Sequence, residues 1–296
     1  MASHLVKVRK KMDIQSMRRV RNVLTGNYGS VFKGRSMDFD DLREYSYGDD
    51  VKDIDWKATA RSRSVMIRRY IAIRKHNILL VADNGNSMAA LAPSGETKGE
   101  VATFCAGVMA YIAQHHSDIT GMVYGNQSGN TRFAMKEDVA YLENFLSHYE
   151  RSIKLDNPDS NINSLLTYVA KGYRERLFII VITDPDSAET IDSEIIRKLN
   201  ARHEQMYIMV EDSPITNSMF RYKEMQDING QIRLPQFYRR DKKLIKAETD
   251  YRVAQKVKIQ KALRHFRIAS TFVDGTDHAI PAIVKLLEEQ KHARRK

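Results

Sequence analysis

The chain has 296 residues, of which 42% are hydrophobic and 29% are charged, and its formal net charge is +11. This length allows one large α/β domain, or one domain with a small appendage, and either can bury a sizeable core. No stretch approaches the roughly 18 consecutive apolar residues that a membrane-spanning helix requires, and no apolar segment follows the basic N-terminus as in a secretory signal. We therefore expect a globular protein without a membrane span, located in the cytoplasm.

Cys105 is the only cysteine, which excludes an internal disulfide and a cysteine-rich zinc site. Its apolar helical surroundings predict a buried core thiol rather than a nucleophile. The excess positive charge is concentrated in residues 1–35 and in a basic tail at residues 291–296. Such ends usually stay solvated or bind an acidic surface. Nucleic-acid binding is a minor alternative, because no recognised binding module accompanies the basic residues.

The first 75 residues predict a small N-terminal extension. Residues 4–24 have the spacing of amphipathic helices, and residues 31–39 and 42–45 resemble short strands. A turn at residues 48–50 leads into a short helix at 55–61, and a further strand is predicted at 65–73.

From residue 76 onward, predicted strands and helices alternate, which is the pattern of a doubly wound sheet with helices on both faces. The strands are expected at residues 77–82, 119–124, 131–135, 177–183, 205–210 and 268–273. The helices are expected at residues 98–114, 139–149, 162–174, 187–203, 244–266 and 278–289. We predict an α/β domain at residues 76–290 with a mostly parallel sheet of the Rossmann type.

The segment at about residues 217–243 interrupts this alternation. It contains a plausible turn and a mixture of aromatic and cationic residues. Loops of this length are often functional. The sequence leaves open whether this excursion contacts a partner or only connects two elements.

Two motifs stand in a fixed order in the first third of the chain. The first comprises Arg43-Glu44-Tyr45, Gly48-Asp49-Asp50, Ile54-Asp55-Trp56-Lys57 and Ala60-Arg61. The second is Asp83-Asn84-Gly85-Asn86-Ser87, which follows an apolar run typical of a buried strand. Together they resemble the bacterial family called "domain of unknown function 58", whose members carry a von Willebrand factor A-like domain. The similarity extends from about Tyr28 to Leu287.

The resemblance implies a partner and a metal site. Members of the family commonly accompany MoxR-type AAA+ ATPases, so we expect such an ATPase and its client proteins as partners. In von Willebrand A-type domains an Asp-x-Ser-x-Ser motif, a later threonine and a later aspartate form a metal-ion-dependent adhesion site. The matching positions here are Asp83, Ser87, Ser160 and Asp184, with Gly85 in place of the middle serine.

These residue types suit Mg²⁺, which prefers hard oxygen ligands and readily keeps water molecules in place of a missing one. The alternative is that Asp83, Ser87 and Ser160 only cap the N-termini of helices. The sequence leaves both interpretations open. Mg²⁺ is thus the only cofactor that we predict, at a degenerate site.

The acidic residues of the first motif also allow two interpretations. Four carboxylates could bind two metal ions and hydrolyse a phosphodiester, namely Asp49, Asp50, Asp53 and Asp55. Three of them, Asp49, Asp50 and Asp55, also lie among four cations, which favours an ion-paired turn: Lys52, Lys57, Arg61 and Arg63. We favour the turn, and we expect Trp56 to be buried as an anchor between the N-terminal region and the main domain.

The sequence contains no P-loop and no nucleophile–base constellation. We therefore predict a non-enzymatic adaptor that couples a MoxR-type ATPase to client proteins. A metal-dependent phosphodiesterase and a basic nucleic-acid-binding protein are the alternatives. The predicted interaction or structural motif consists of Arg43, Glu44, Tyr45, Asp49, Asp50, Asp55, Trp56 and Arg61.

Overall fold

The computed structural model describes residues 3–14, 38–47, 49, 51, 54–62, 64–71, 75–217, 225–226, 228, 233–234 and 241–293. The chain divides into two compact units. The smaller unit comprises residues 32–76, and the larger unit comprises residues 1–31 and 77–296.

The described elements are named here in chain order. The helices are α1 (His4–Ile14), α2 (Trp56–Thr59), α3 (Lys98–His115), α4 (Val139–Ser152), α5 (Ile162–Gly172), α6 (Pro185–Glu189), α7 (Ser193–Asn200), α8 (Lys242–His265) and α9 (Thr276–Ala293). The strands are β1 (Asp38–Glu44), β2 (Met66–Ile71), β3 (Asn77–Asp83), β4 (Ile119–Asn126), β5 (Gly129–Lys136), β6 (Phe178–Thr183), β7 (Glu204–Val210), β8 (Met225–Gln226), β9 (Arg233–Leu234) and β10 (Ala269–Val273). None of the described helices has the length and apolar character needed to cross a membrane.

The larger unit is built on a six-stranded sheet with the strand order β10-β7-β6-β3-β4-β5. All neighbouring strands in it are parallel except β5, which pairs antiparallel with β4 at the edge. Every residue of β6 is buried, as expected for a strand with helices on both faces. The structure confirms the predicted doubly wound α/β fold.

Helices cover both faces of the sheet. On one face, α3 contacts α1, α4 and α9. On the other face, α5 and α7 pack together, and residues of α8 complete the same hydrophobic cluster.

Cys105 lies in α3 and is fully buried, which confirms the predicted core thiol. Burial raises the pKa of this thiol to about 12. The predicted helix at 187–203 is two helices, α6 and α7, because Asp192 begins the second by capping its N-terminus.

Helix α1 belongs to the larger unit, whereas the predicted extension at residues 1–75 included it. Its apolar residues Leu5, Val8 and Met12 are buried. The carboxylate of Glu143, in α4, accepts hydrogen bonds from the backbone amides of His4 (2.6 Å) and Leu5 (3.1 Å). A side chain from another helix thus caps α1. The predicted continuation of this helical pattern to residue 24 lies outside the described residues.

The smaller unit contains the antiparallel pair β1–β2 and the one-turn helix α2. The prediction that Trp56 is buried was wrong, because the residue is 67% exposed. Trp56 begins α2, which has no buried residue, so the large ring has no core to enter.

In the predicted excursion at 217–243, the structure describes only a few positions, which include the short pair β8–β9.

Candidate functional site

Three aspartates mark the carboxyl-terminal edge of the parallel sheet. Asp83 ends β3, Asp184 directly follows β6, and Asp212 comes two residues after β7. Ligands in open α/β sheets bind at this edge. The structure brings Asp83, Ser160, Ser87 and Asp184 together here in two hydrogen-bonded pairs.

Asp83 is an acceptor for three groups of the chain. Its Oδ2 accepts a short hydrogen bond from the Ser160 hydroxyl and another from Thr183 Oγ1 at 3.2 Å. Its Oδ1 accepts from the Gly85 amide at 2.8 Å. Burial, and then the nearby charge of Asp184, raise the pKa of Asp83 above its ordinary value despite these hydrogen bonds.

Asp184 is held by a different set of donors. Its Oδ2 accepts hydrogen bonds from Ser87 Oγ at 2.7 Å and from Lys98 Nζ at 3.0 Å. Its Oδ1 caps α6 by accepting from the Ser187 amide at 2.7 Å. Burial alone would raise the pKa of Asp184, but the charge of Lys98 and the hydrogen bonds together lower it.

Lys98 connects Asp184 to Asp212. Its ammonium lies 2.5 Å from Asp212 Oδ1, and the lysine side chain is only 1% exposed. Burial raises the pKa of Asp212 and outweighs the opposing charge of Lys98. Neither residue was predicted from the sequence. The available signal was a lysine in the first turn of a largely apolar helix, where the helix dipole disfavours a cation.

The loop after β3 is fixed to the loop before α5 and to α4. Asn86 donates from its backbone to Pro158 O at 3.1 Å and from its side chain to Asp159 Oδ1 at 3.0 Å. On the other side, Tyr149 OH donates to the backbone oxygen of Asp83 at 2.7 Å. These contacts hold the polar groups of the site in one arrangement.

The capping interpretation of the serines was wrong. Helix α5 is capped by Asn161, whose side chain accepts from the Ser164 amide, and not by Ser160. Ser87 lies inside a 3₁₀ turn, whose N-terminal residue, Gly85, makes no side-chain cap. Both serine hydroxyls instead donate to the carboxylates of the site.

An open cleft of about 510 Å³ lies over this edge of the sheet. Among the described residues that line it, Lys98 is the one cation, and four are carboxylates: Asp159, Asp184, Asp186 and Asp212. Asp159 and Asp186 are exposed at the rim. The cleft therefore has two exposed carboxylates at its rim. Its floor holds two further carboxylates, whose charge Lys98 partly neutralises.

The missing middle serine cannot be restored in this arrangement. A Cβ atom on Gly85 would lie 2.5 Å from the backbone nitrogen of Ser160 and 2.8 Å from its Cα. The backbone of the Ser160 loop thus fills the space that a serine side chain at position 85 would need. One hydroxyl ligand of the adhesion-type site is excluded by packing.

Lys98 also opposes a divalent ion. A Mg²⁺ ion bound to Asp184 Oδ2 at about 2.1 Å would stand within about 5 Å of Lys98 Nζ, which is 3.0 Å from the same oxygen. At an effective dielectric constant of about 20, the repulsion is about 7 kcal/mol. The buried ammonium beside Asp184 and the hydroxyl ligand missing at Gly85 therefore make this donor set a poor fit for Mg²⁺.

The first motif of the sequence forms an ion-paired turn in the smaller unit. Arg43 donates to Asp49 Oδ1 at 2.5 Å, and the Ser46 amide donates to Asp49 Oδ2 at 2.9 Å. These hydrogen bonds, that of Arg43 first, lower the pKa of Asp49. The partner of Asp49 is thus Arg43, which was not among the four cations expected to form the turn.

Other residues of this motif have structural contacts as well. Asp55 caps α2 by accepting from the amides of Lys57 and Ala58, and Glu44 accepts from Ser64 Oγ at 2.9 Å. The Tyr45 amide donates to the backbone of Val65, and Arg61 is exposed. Asp50, with Gly48, Lys52, Asp53 and Arg63, lies outside the described residues.

The family described as "Protein of unknown function DUF58" matches residues 41–216, which is more than half of the chain. The chain belongs to this family. The matched range includes all of the first motif, together with Asp83, Lys98, Ser160, Asp184 and Asp212. Both motifs of the sequence therefore lie in the part of the chain that is shared with the DUF58 family.

Proteins from three bacteria are among the solved structures to which this DUF58 chain is similar. The conserved hypothetical protein BatB from Bacteroides thetaiotaomicron is 15% identical, with a TM-score of 0.45, over 73% of this chain and 99% of that one. An aerotolerance-related membrane protein from Bacteroides fragilis is 16% identical, with a TM-score of 0.46, over 72% and 99%. A von Willebrand factor type A protein from Catenulispora acidiphila is 9% identical, with a TM-score of 0.42, over 76% and 43%. No curated protein matches the chain.

Proposed function

We propose that this DUF58 chain is a non-enzymatic interaction protein whose cleft at the sheet edge binds a partner protein. The supporting observation is that each of the four described carboxylates lining the cleft already has a partner within the chain. Asp184 and Asp212 are paired with Lys98, Asp159 accepts from Asn86, and Asp186 accepts from Gln255 at 2.7 Å. Such groups form a rigid polar surface, which suits recognition.

The proposed partner is a MoxR-type AAA+ ATPase acting with client proteins. This part of the proposal rests on the family resemblance. The acidic rim at Asp159 and Asp186 adds a chemical expectation, because opposite charge on the partner would favour association. A basic segment of the ATPase or of the client is therefore the expected contact.

Capture by a purified MoxR-type ATPase tests the proposal. The double variant Asp159→Lys/Asp186→Lys reverses the charge of the rim, and it should weaken capture at least tenfold. The matched control is Asp250→Lys, an exposed residue of α8 that does not line the cleft. Equal capture by both variants would show that the cleft is not the contact.

The phosphodiesterase alternative has no supporting observation among the described carboxylates of the first motif. Asp49 is engaged by Arg43, and Asp55 by two backbone amides. Both therefore have structural partners that account for their presence. This agrees with a binding function.

A further inference from the structure

The most unusual group in the larger unit is the ammonium of Lys98. Its side chain is 1% exposed, and lysine is almost never fully buried unless it is paired. Lys98 also stands at the first position of α3, where the positive end of the helix dipole disfavours a cation. Both features work against a charge at this position, so its carboxylate partners must compensate for them.

Two carboxylates provide that compensation. Lys98 Nζ lies 3.0 Å from Asp184 Oδ2 and 2.5 Å from Asp212 Oδ1. Burial alone would lower the pKa of Lys98, but the charges of Asp184 and Asp212 raise it above its ordinary value. Two carboxylate oxygens within 3.0 Å of Nζ are the partners that a buried ammonium requires. Lys98 joins the loops that follow β6 and β7, on two neighbouring strands.

We propose that Lys98 supplies the positive charge that a divalent ion supplies in metal-ion-dependent adhesion sites, so that the Asp184 site is complete without a metal. The ammonium neutralises Asp184 from within the chain, and the Ser160 backbone fills the space beside Gly85. The packing removes one hydroxyl ligand, which water can replace, so the charge of Lys98 is what excludes the ion. This inference concerns the chain alone and does not depend on the identity of any partner.

Melting temperatures measured with EDTA or with Mg²⁺ and Mn²⁺ at 5 mM test the proposal. The unaltered chain should melt within about 1 °C of the same temperature in all three conditions, because an ion that does not bind cannot stabilise. Lys98→Ala removes the charge and opens space beside Asp184 and Asp212. This variant should melt lower in EDTA and regain about 5 °C when either ion is present at many times its dissociation constant.

Two further variants make the result specific. Lys98→Ala/Asp184→Asn removes the carboxylate as well, and it should lose the response to the ions. If Lys98→Ala does not fold, Lys98→Gln serves in its place, because it keeps most of the side-chain volume and a donor while it removes the charge. Stabilisation of the unaltered chain by millimolar Mg²⁺ would overturn the proposal. Failure of the ions to stabilise the folded Lys98 variant would overturn it too.

Discussion

The backbone nitrogen of Ser160 lies 2.5 Å from the point that a Cβ atom on Gly85 would occupy. Real Cβ atoms essentially never approach backbone this closely, so any side chain at position 85 must displace the loop that carries Ser160. The glycine is therefore required by the packing of two loops. A side chain at this position of the adhesion-type motif would therefore require Ser160 to move.

We expect Gly85→Ala and Gly85→Ser to lower the free energy of unfolding by about 1–3 kcal/mol, as overpacking typically does. Urea denaturation measures the change. Gly172→Ala is the matched control, because a Cβ atom there meets nothing within 4 Å at the end of α5. That control should be neutral or stabilising. Gly85→Ala with the stability of Gly172→Ala would contradict the packing argument.

Glu143 should make the attachment of α1 dependent on pH. Burial alone would raise its pKa, but hydrogen bonds from the amides of His4 and Leu5 and from Ser3 together lower it below the ordinary value of 4.5. Its stabilising contribution is therefore complete above about pH 4.5, and it is lost as the pH falls through the lower value in the folded protein. The ionised carboxylate, and not the acid, is the form that caps the helix.

The variant Glu143→Gln should accordingly melt below the unaltered chain at pH 7, by the equivalent of about 1 kcal/mol, because both carboxylate oxygens accept hydrogen bonds here and an amide has only one oxygen. The difference between the two melting temperatures should shrink as the pH falls below 4.5. Glu194→Gln, on the surface of α7, is the control and should have little effect at any pH. A difference for Glu143→Gln that stays constant down to pH 3 would show that ionisation of Glu143 contributes nothing.

Much of the fold was predictable because its signals are local. The apolar run of β6 and the capping box of Thr97 and Glu100 at the start of α3 each stand within a few residues of sequence. The meeting of Asp83 and Asp184 was predictable as well, since parallel strands end at the same edge of a sheet.

The remaining features depend on contacts between distant residues. The cap on α1 comes from Glu143, 139 residues away from His4. The ammonium of Lys98 reaches Asp212 on a loop beyond β7, and neither residue has a local pattern that indicates its partner.

The prediction that Trp56 is buried failed for another reason. The average tendency of large aromatic residues to be buried says nothing about a helix of one turn that has no buried face.

The exposure of Trp56 gives a direct optical test. As the only tryptophan and 67% exposed, it should emit at long wavelength and be quenched by iodide in the folded protein. Trp56→Ala should change the free energy of unfolding by no more than about 0.5 kcal/mol, as surface substitutions usually do. Phe145→Ala, at a fully buried aromatic residue of α4, should cost about 3–5 kcal/mol. A blue-shifted, unquenched Trp56 would contradict the structure of the smaller unit.

The last prediction separates a structural from a catalytic role of Asp55. Its Oδ1 accepts from the amides of Lys57 at 3.0 Å and Ala58 at 3.1 Å, which is the geometry of an N-terminal cap. Asparagine caps helices about as well as aspartate, whereas alanine does not. Asp55→Asn should therefore keep the stability of the smaller unit, and Asp55→Ala should lose about 1 kcal/mol. Hydrogen exchange of the Lys57 and Ala58 amides, which donate to the cap, measures this locally.

A metal-binding catalytic carboxylate would behave differently, because the neutral amide of asparagine cannot replace its charge in two-metal chemistry. We expect the unaltered chain to release no product from a model phosphodiester in 5 mM Mn²⁺, and Asp55→Asn to be the same. The assay uses the folded protein and the same metal concentration throughout. Metal-dependent cleavage by the unaltered chain that disappears in folded Asp55→Asn would assign catalysis to this turn, since the variant keeps the cap and removes only the charge.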